Sequence, residues 1–429
     1  MSIAMTGITT GVTGGGWRAT VTEWGAVQLW GDDVLVDWHV AADDRWHSPQ
    51  REAAVRQRRI DGTSVVETRV RIPDGDAVQR VYSVPDDGGL TIIEVENESP
   101  LAIAVAFTHA GLLSVRPPSA PIEGIDLPAG SVAFPVGHHA MLTVAIAHDG
   151  RGAGALPGGL PTAAGVVRGW VSTVERAGRL LLPDAALAER VVSERCELAL
   201  VGPEHPDADP VAFLLAVEQL VRMGEKAAAW VPDVAHALEQ AVKGAPHDWA
   251  LAAALDGAEH VLAAAGERRA CRDLGAVRDR LQLPSSSLPA EPPAGGARFL
   301  AWVERTIVAP HPGGADLFPS GLPAGWEGSN FEVYGVPTGV AGSVSFAIRW
   351  HGERPALLWE QSGDVARLGA SVLAPGWHTR EVKGEALWPA PPGVVPAVHG
   401  TPETSAGVPA AASAVASPAV LPGEGDSFS

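Results

Sequence analysis

A chain of 429 residues, 46% apolar and 19% charged, with 49 glycines and 36 prolines, has ample core material and excludes both a fibre and a fully disordered chain. Fifty acidic against 31 basic residues leave a formal net charge of −19. That field repels phosphate backbones and anionic lipid, so nucleic acid is not expected as a partner. The length predicts two or three domains at roughly 100–200 residues each.

From the N-terminus, the text before Arg18 has no basic residue and no apolar core of the kind a secretory leader needs. No apolar run approaches the ~20 residues of a membrane span. The expectation is a cytoplasmic protein with no membrane partner. Short runs with period-2 alternation follow, at 17–24, 27–30, 34–40, 65–72, 77–84, 90–96, 101–108, 131–136 and 140–148, separated by Gly, Pro and Asp clusters. Strands without intervening helices predict an antiparallel β-sandwich over 1–150. In LTIIEVENESPLAIAVAFTH, Asn97 to Pro100 supply turn residues between two apolar runs, which predicts a hairpin.

A Gly/Pro-rich stretch, GRGAGALPGGLP, ends this region, and beyond it the apolar period lengthens to that of helices. Asp209-Pro210 is a cap followed by a first-turn proline, Phe213, Val217, Leu220 and Val221 share one face, and Gly224 ends the helix. Similar stripes at Val234, Leu238 and Val242, at Leu251, Leu255 and Leu262, and at Leu274, Val277 and Leu281 predict about six helices in hairpins over 162–283. After a second linker, PSSSLPAEPPAGG, come a short apolar run, ARFLAWVERTIV, and strand-like text from Glu332 to Trp388, which predict a small C-terminal β-domain over 297–388. Its most regular piece alternates Val344, Phe346, Ile348 and Trp350 with smaller or polar residues and turns at 351–355. The segment 389–429, with eight prolines and no Lys or Arg, predicts a disordered tail that is dispensable for folding.

Four stretches carry a family resemblance: TIIEVENESPLAIAVAFTH, GWVSTVERAGRLLLPDAALAERV, DLFPSGLPAGWEGSNFEVYGVPTGVAGSVSFAIRW and RWHGERPALLWE. In this order they resemble the bacterial six-hairpin (α/α)-toroid glycoside hydrolases of the glucoamylase-like and rhamnosidase-like kind. The resemblance implies an α+β multidomain fold: an N-terminal supersandwich, central helical hairpins forming a partial toroid, and a C-terminal β-domain. A full toroid needs twelve helices and on the order of 200 residues, and 162–283 holds about half of that. The funnel that sets the family's acid and base is therefore incomplete, and no catalytic residue is carried over. The implied function is a catalytically degenerate, carbohydrate-associated binding or regulatory protein. Two alternatives stay open, an active glycosidase with a relocated carboxylate pair and a protein-interaction scaffold.

Glycoside hydrolysis requires two carboxyl groups about 5–9.5 Å apart, one of them kept protonated. In LPAGWEGSN and the residues after it, Trp326, Glu327, Asn330 and Glu332 offer an indole, two acids and an amide on a Gly-flanked loop, and His351, Glu353 and Arg354 occupy the next turn. These seven are the candidate carbohydrate-binding residues. The competing readings place Trp326 in the core, Glu327 and Glu332 in a solvated turn, and Arg349 paired with Glu360 across the hairpin while Trp350 and Trp359 pack inside. The abundance of Trp (14, against 2 Tyr) fits a GC-rich coding sequence as well as sugar platforms.

No metal and no cofactor are expected. His138 and His139 are adjacent on a strand turn and point apart, while His236, His247 and His260 fall on separate helices with no HExxH spacing. Gly150 to Gly154 lacks the helix start of a dinucleotide fingerprint. Cys196 and Cys271, with no CxxC, read as packing thiols. A half-ring leaves stripes such as Leu251, Leu255 and Leu262 short of partners, which predicts a homo-oligomer, a protein partner on the helical layer, or packing of the helices against the sandwich.

Overall fold

A computed structural model describes residues 7–31, 35–281, 283 and 288–391; the predicted tail lies, from 392 onward, outside the described residues. Among them the chain is α+β, with seven α-helices and five largely antiparallel sheets. No helix among them is long and apolar enough to cross a membrane.

Three sheets form the N-terminal region. Gly7–Gly11, Arg18–Thr22, Val27–Leu29 and Leu35–Val36 make a meander. A seven-stranded sheet is centred on Gly75–Val84 and Leu90–Asn97, and a third sheet pairs Ile103–Phe107 with Val132–Val136 and Trp38–Ala41. One apolar core is shared by all three. The strand Leu90–Asn97 is apolar at consecutive positions because both faces are covered: Ile93 and Val95 enter the shared core, while Leu90 and Ile92 face a second cluster closed by a helix.

The predicted hairpin at Asn97 does not form. Leu90–Asn97 pairs with Gly75–Val84 and Met141–Ala147, whereas Ile103–Phe107 pairs in a different sheet. Asn97 explains the difference. Its Oδ1 accepts the Ser99 N–H at 2.9 Å and its amide donates to the Leu101 and Gly137 carbonyls at 2.7 and 3.0 Å. The side chain thus turns a corner between sheets, where a hairpin needs only local backbone bonds.

The helical layer follows its caps. In α1 (Ala163–Val174) the Thr162 hydroxyl accepts the Gly165 N–H, in α2 (Ala185–Val201) Asp184 accepts Leu187, and in α3 (Pro210–Met223) Asp209 accepts Ala212 and Gly224 closes the end at φ 117°. Next come α4 (Ala227–Gly244), α5 (Trp249–Ala264) capped by Asp248, and α6 (Arg268–Leu281). The chain leaves the helical path soon after α1: Gly178, at φ 118°, takes a conformation other residues avoid, and Arg179–Leu181 becomes an edge strand of the C-terminal sheet.

The seventh helix, α7 (Gly296–Ile307), was read only as an apolar run. It presents Phe299, Leu300, Val303 and Ile307 to the C-terminal core and Ala297 and Ala301 to the helical core, locking the two together. The leucine stripe of α5 is also not short of partners. Leu251, Leu255 and Leu262 are buried within the helical core formed by α3 to α7. Cys196 is buried and Cys271 half-buried, both as free thiols, and burial pushes the Cys196 thiol up to about 12.

C-terminally, Gly342–His351 and Arg354–Gly363 form the expected hairpin, with His351 opposite Arg354, in a five-stranded sheet that also holds Phe331–Pro337 and Lys383–Leu387. A four-stranded sheet starting at Val308–His311 shares its core with this one.

Candidate functional site

The seven residues singled out in the sequence do not converge on one site: Asn330 meets the strand end beside the paired His351 and Arg354, while Trp326 faces the core. Trp326 is 3% exposed, with its ring edge-to-face against Phe331 at 5.2 Å and Phe318 at 6.5 Å, so the core reading holds and no indole face is left for a sugar. Glu327 is exposed. The Asn330 Oδ1 accepts the Trp350 N–H at 2.9 Å, pinning the start of one strand to the end of the next. Glu332 accepts from the Tyr334 hydroxyl and the Arg349 guanidinium, which hold its carboxyl below the usual range. His351 is exposed and Glu353 half-buried at the hairpin turn, and Arg354 donates to the Trp388 carbonyl at 3.1 Å.

The expected Arg349–Glu360 pair is replaced by Arg349–Glu332. Register is the cause: Glu360 faces Ser345, four positions and ~13 Å along the strand from Arg349, whereas Glu332 faces Ala347, two positions away.

A different set of residues converges where the helical layer meets the C-terminal sheets, on a cleft of ≈ 570 Å³. Helix α3 supplies Leu215, Glu218 and Gln219; α5 supplies Asp256, Gly257 and His260; α6 supplies Arg278 and Asp279; α7 supplies Glu304 and Arg305. The segment from Val336 to Val340 and the strand beginning at Val308 complete it. Helical spacing does this locally, because Asp256 and His260 are four residues apart, as are Ala301 and Arg305, and each pair shares one face. Gly257 lets α3 and α5 approach: a Cβ there would lie 3.1 Å from the Glu218 Cβ.

The floor of the cleft is a buried charge network. Glu304 accepts from Arg195 and Arg222, both at 2.8 Å, and from the Gln219 amide at 3.2 Å. Arg222 also donates to Glu218 at 3.0 Å, and Gln219 to Glu218 at 3.1 Å. The Arg195 Nε donates to the Gln219 Oε1 at 3.1 Å, and other guanidinium N–H groups go to backbone: Arg195 donates to the Ala177 carbonyl at 3.2 Å and, like Arg222, reaches the turn after α1. Burial drives the Glu304 carboxyl upward, but Arg222 and Arg195 outweigh it and the net shift is downward. Glu304 is therefore ionised.

Nearer the mouth, Asp256 bridges two helices. It pairs with Arg278 at 2.9 Å and with Arg305, while Arg278 also meets Glu259 at 2.7 Å. The His260 Nδ1 lies 2.9 Å from the Val340 carbonyl. Asp279 is exposed at the rim and makes no hydrogen bond or ion pair among the described residues. Opposite these groups the wall is aliphatic, with Leu215, Ala252, Ala301, Val336 and Pro337. No tryptophan lines the cleft among the described residues, and none of their His, Cys, Asp and Glu clusters could hold a metal ion.

Sequence reading missed Glu218, Asp256, His260, Arg278, Glu304 and Arg305. The available signal was Glu218-Gln219 inside the otherwise apolar VAFLLAVEQLV, since a polar pair there must be buried with partners. No protein-family model, curated protein or solved structure matches the chain.

Proposed function

We propose that the chain is a non-catalytic carbohydrate-binding relative of the six-hairpin glycosidases, with an N-terminal supersandwich, part of an α/α toroid, and its ligand site in the helix–sheet cleft. One observation carries this reading: the cleft sets arginine-paired carboxylates, Glu218, Asp256 and Glu304, against an aliphatic wall. Such a surface suits a small polyol, which hydrogen-bonds through its hydroxyls and packs its C–H faces on apolar groups. Acid–base hydrolysis needs a carboxyl kept protonated. Two guanidiniums on Glu304 work against that state.

Without an indole to stack on, affinity is weak, with Kd roughly in the millimolar range. Saturation-transfer NMR with a panel of mono- and disaccharides tests the reading, alongside an assay for released reducing sugar. Expected are transfer to several sugars, its loss in Asp256→Ala, and no hydrolysis. Hydrolytic turnover abolished by Asp256→Ala would instead install the active-glycosidase reading, and absence of transfer to every sugar would remove carbohydrate from consideration.

A further inference from the structure

The outer edge of the seven-stranded sheet is a short strand rich in arginine. Arg56–Arg59, RQRR, pairs on one side with Val66–Ile72, and its other edge has no strand partner among the described residues. The backbone N–H and C=O groups of such an edge are a template for an added strand. From one face the strand is tied down: the Gln57 amide donates to the Thr22 carbonyl at 2.6 Å and to the Thr68 hydroxyl at 3.0 Å, and Arg59 pairs with Glu197 at 3.1 Å. The edge is therefore set before anything binds to it.

Arg56 and Arg58, two residues apart, share the other face. Behind them the buried Glu67 and Asp76 each have two further arginines: Arg69 and Arg80 on Glu67, at 3.0 and 3.2 Å, and Arg69 and Arg71 on Asp76, at 3.7 and 3.5 Å. Arg58 and Arg56 join these carboxylates as third cations, at 3.0 and 2.7 Å, with side chains 66% and 64% exposed. The acids lie at the base and the arginines face solvent, so the edge is locally positive on a chain of net charge −19. Within a Debye length of about 10 Å at 0.1 M ionic strength, near charges outweigh distant ones.

We infer that the edge Arg56–Arg59 docks an extended segment of a partner protein with Glu or Asp at alternate positions, which adds to the sheet as a further strand. Such a segment places one carboxylate opposite Arg56 and another opposite Arg58, and its backbone supplies the missing partners. A second copy of this chain is a poor occupant. Paired antiparallel with its own kind, the edge sets arginine opposite arginine both at full overlap and one position along, and like charges directly opposite destabilise a strand pair. A nucleic acid meets the charge but leaves the edge backbone unpaired.

Fluorescence anisotropy with the full chain and short labelled peptides tests this docking. A peptide alternating Glu and Val is expected to bind at least about tenfold more tightly than its Lys-for-Glu counterpart, with affinity falling as salt rises to about 0.5 M. Methylating the peptide's backbone nitrogens removes the donors of the added strand and should weaken binding by a similar factor. The double variant Arg56→Gln/Arg58→Gln leaves Glu67 and Asp76 two arginines each, so its thermal midpoint should stay close to the parent while most of the peptide affinity is lost. Hydrogen exchange on the parent chain, where the acidic peptide should slow amides within 56–59, locates the site even if that variant does not fold. Absence of binding by the acidic peptide would overturn the docking. So would equal binding of the lysine peptide, undiminished binding after N-methylation, full affinity in the folded double variant, or unchanged exchange at 56–59. An oligothymidylate of equal charge binding as tightly as the acidic peptide would overturn it in favour of a site for polyanions.

Discussion

The loop and turn around Trp326 to Arg354 and the helix–sheet cleft make opposite use of the same residue types. In the first, an indole, carboxylates and an arginine lie close in sequence, yet Trp326 points into the core, Glu332 and Arg349 neutralise each other on the outer face of a sheet, and Arg354 ties down the end of a neighbouring strand. In the second, carboxylates, arginines and a histidine from four helices, with 218 and 305 nearly ninety positions apart, meet around one cavity. Nearness in sequence produced a packing unit, and distance in sequence produced a cavity lined by charged groups. Strand side chains alternate between opposite faces and so disperse a local cluster, whereas facing helices bring the same side of several turns together.

The largest expected difference between the two regions is in stability. Glu304→Ala removes the anion shared by two buried arginines and should cost roughly 3–5 kcal/mol in chemical denaturation, whereas Glu332→Ala, on the open and solvent-screened sheet face, should cost only a small fraction of that. Comparable losses at the two positions would erase the distinction between the two regions. Trp326→Ala should match the first of these, at roughly 3–5 kcal/mol, because a large ring leaves an aromatic cluster, while Glu327→Ala one position on should stay within about 0.5 kcal/mol.

A smaller and sharper effect concerns acid. The folded-state pKa of Glu304 is lowered, so its contribution is fully present above the unfolded value of about 4.3 and is lost as pH falls through the folded value. The parent should therefore lose stability on acidification below about pH 4.3 more steeply than Glu304→Gln, which has no proton to take up there. Glu332 shifts in the same direction but is solvated, so Glu332→Gln should follow the parent curve closely. Parallel acid curves for the parent and Glu304→Gln would mean that the buried network does not govern the low-pH limit.

Much of the local architecture was legible. Asp209-Pro210 with Gly224 marked both ends of α3, and alternation from Val344 to Trp350 placed the hairpin that the pairing of His351 with Arg354 closes. Asn97 was legible as a turn but not as a corner, because its amide reaches Gly137, forty positions away. The Arg349 partner was misread for the same kind of reason: pairing across a hairpin was countable, but pairing with Glu332 depends on the neighbouring strand and its register. Helix α7 carried a legible signal, since Leu300, Val303 and Ile307 recur at helical spacing, but that its one apolar stripe serves two cores was decided only by the tertiary structure.

What the sequence determined alone is what short-range physics controls: the change from strand to helix periodicity, the caps and glycine stops, and a charge balance that disfavours polyanions. Only the tertiary structure decided which of the carboxylates and arginines are buried together, and hence where a ligand can sit. A helix stripe declares that a face will be covered but not by what, and the packing of α3, α5, α6 and α7 against the C-terminal sheets sets Glu218, Asp256, His260 and Glu304 around one cavity. The energy of such a network lies in geometry and desolvation that exist only once those elements have docked.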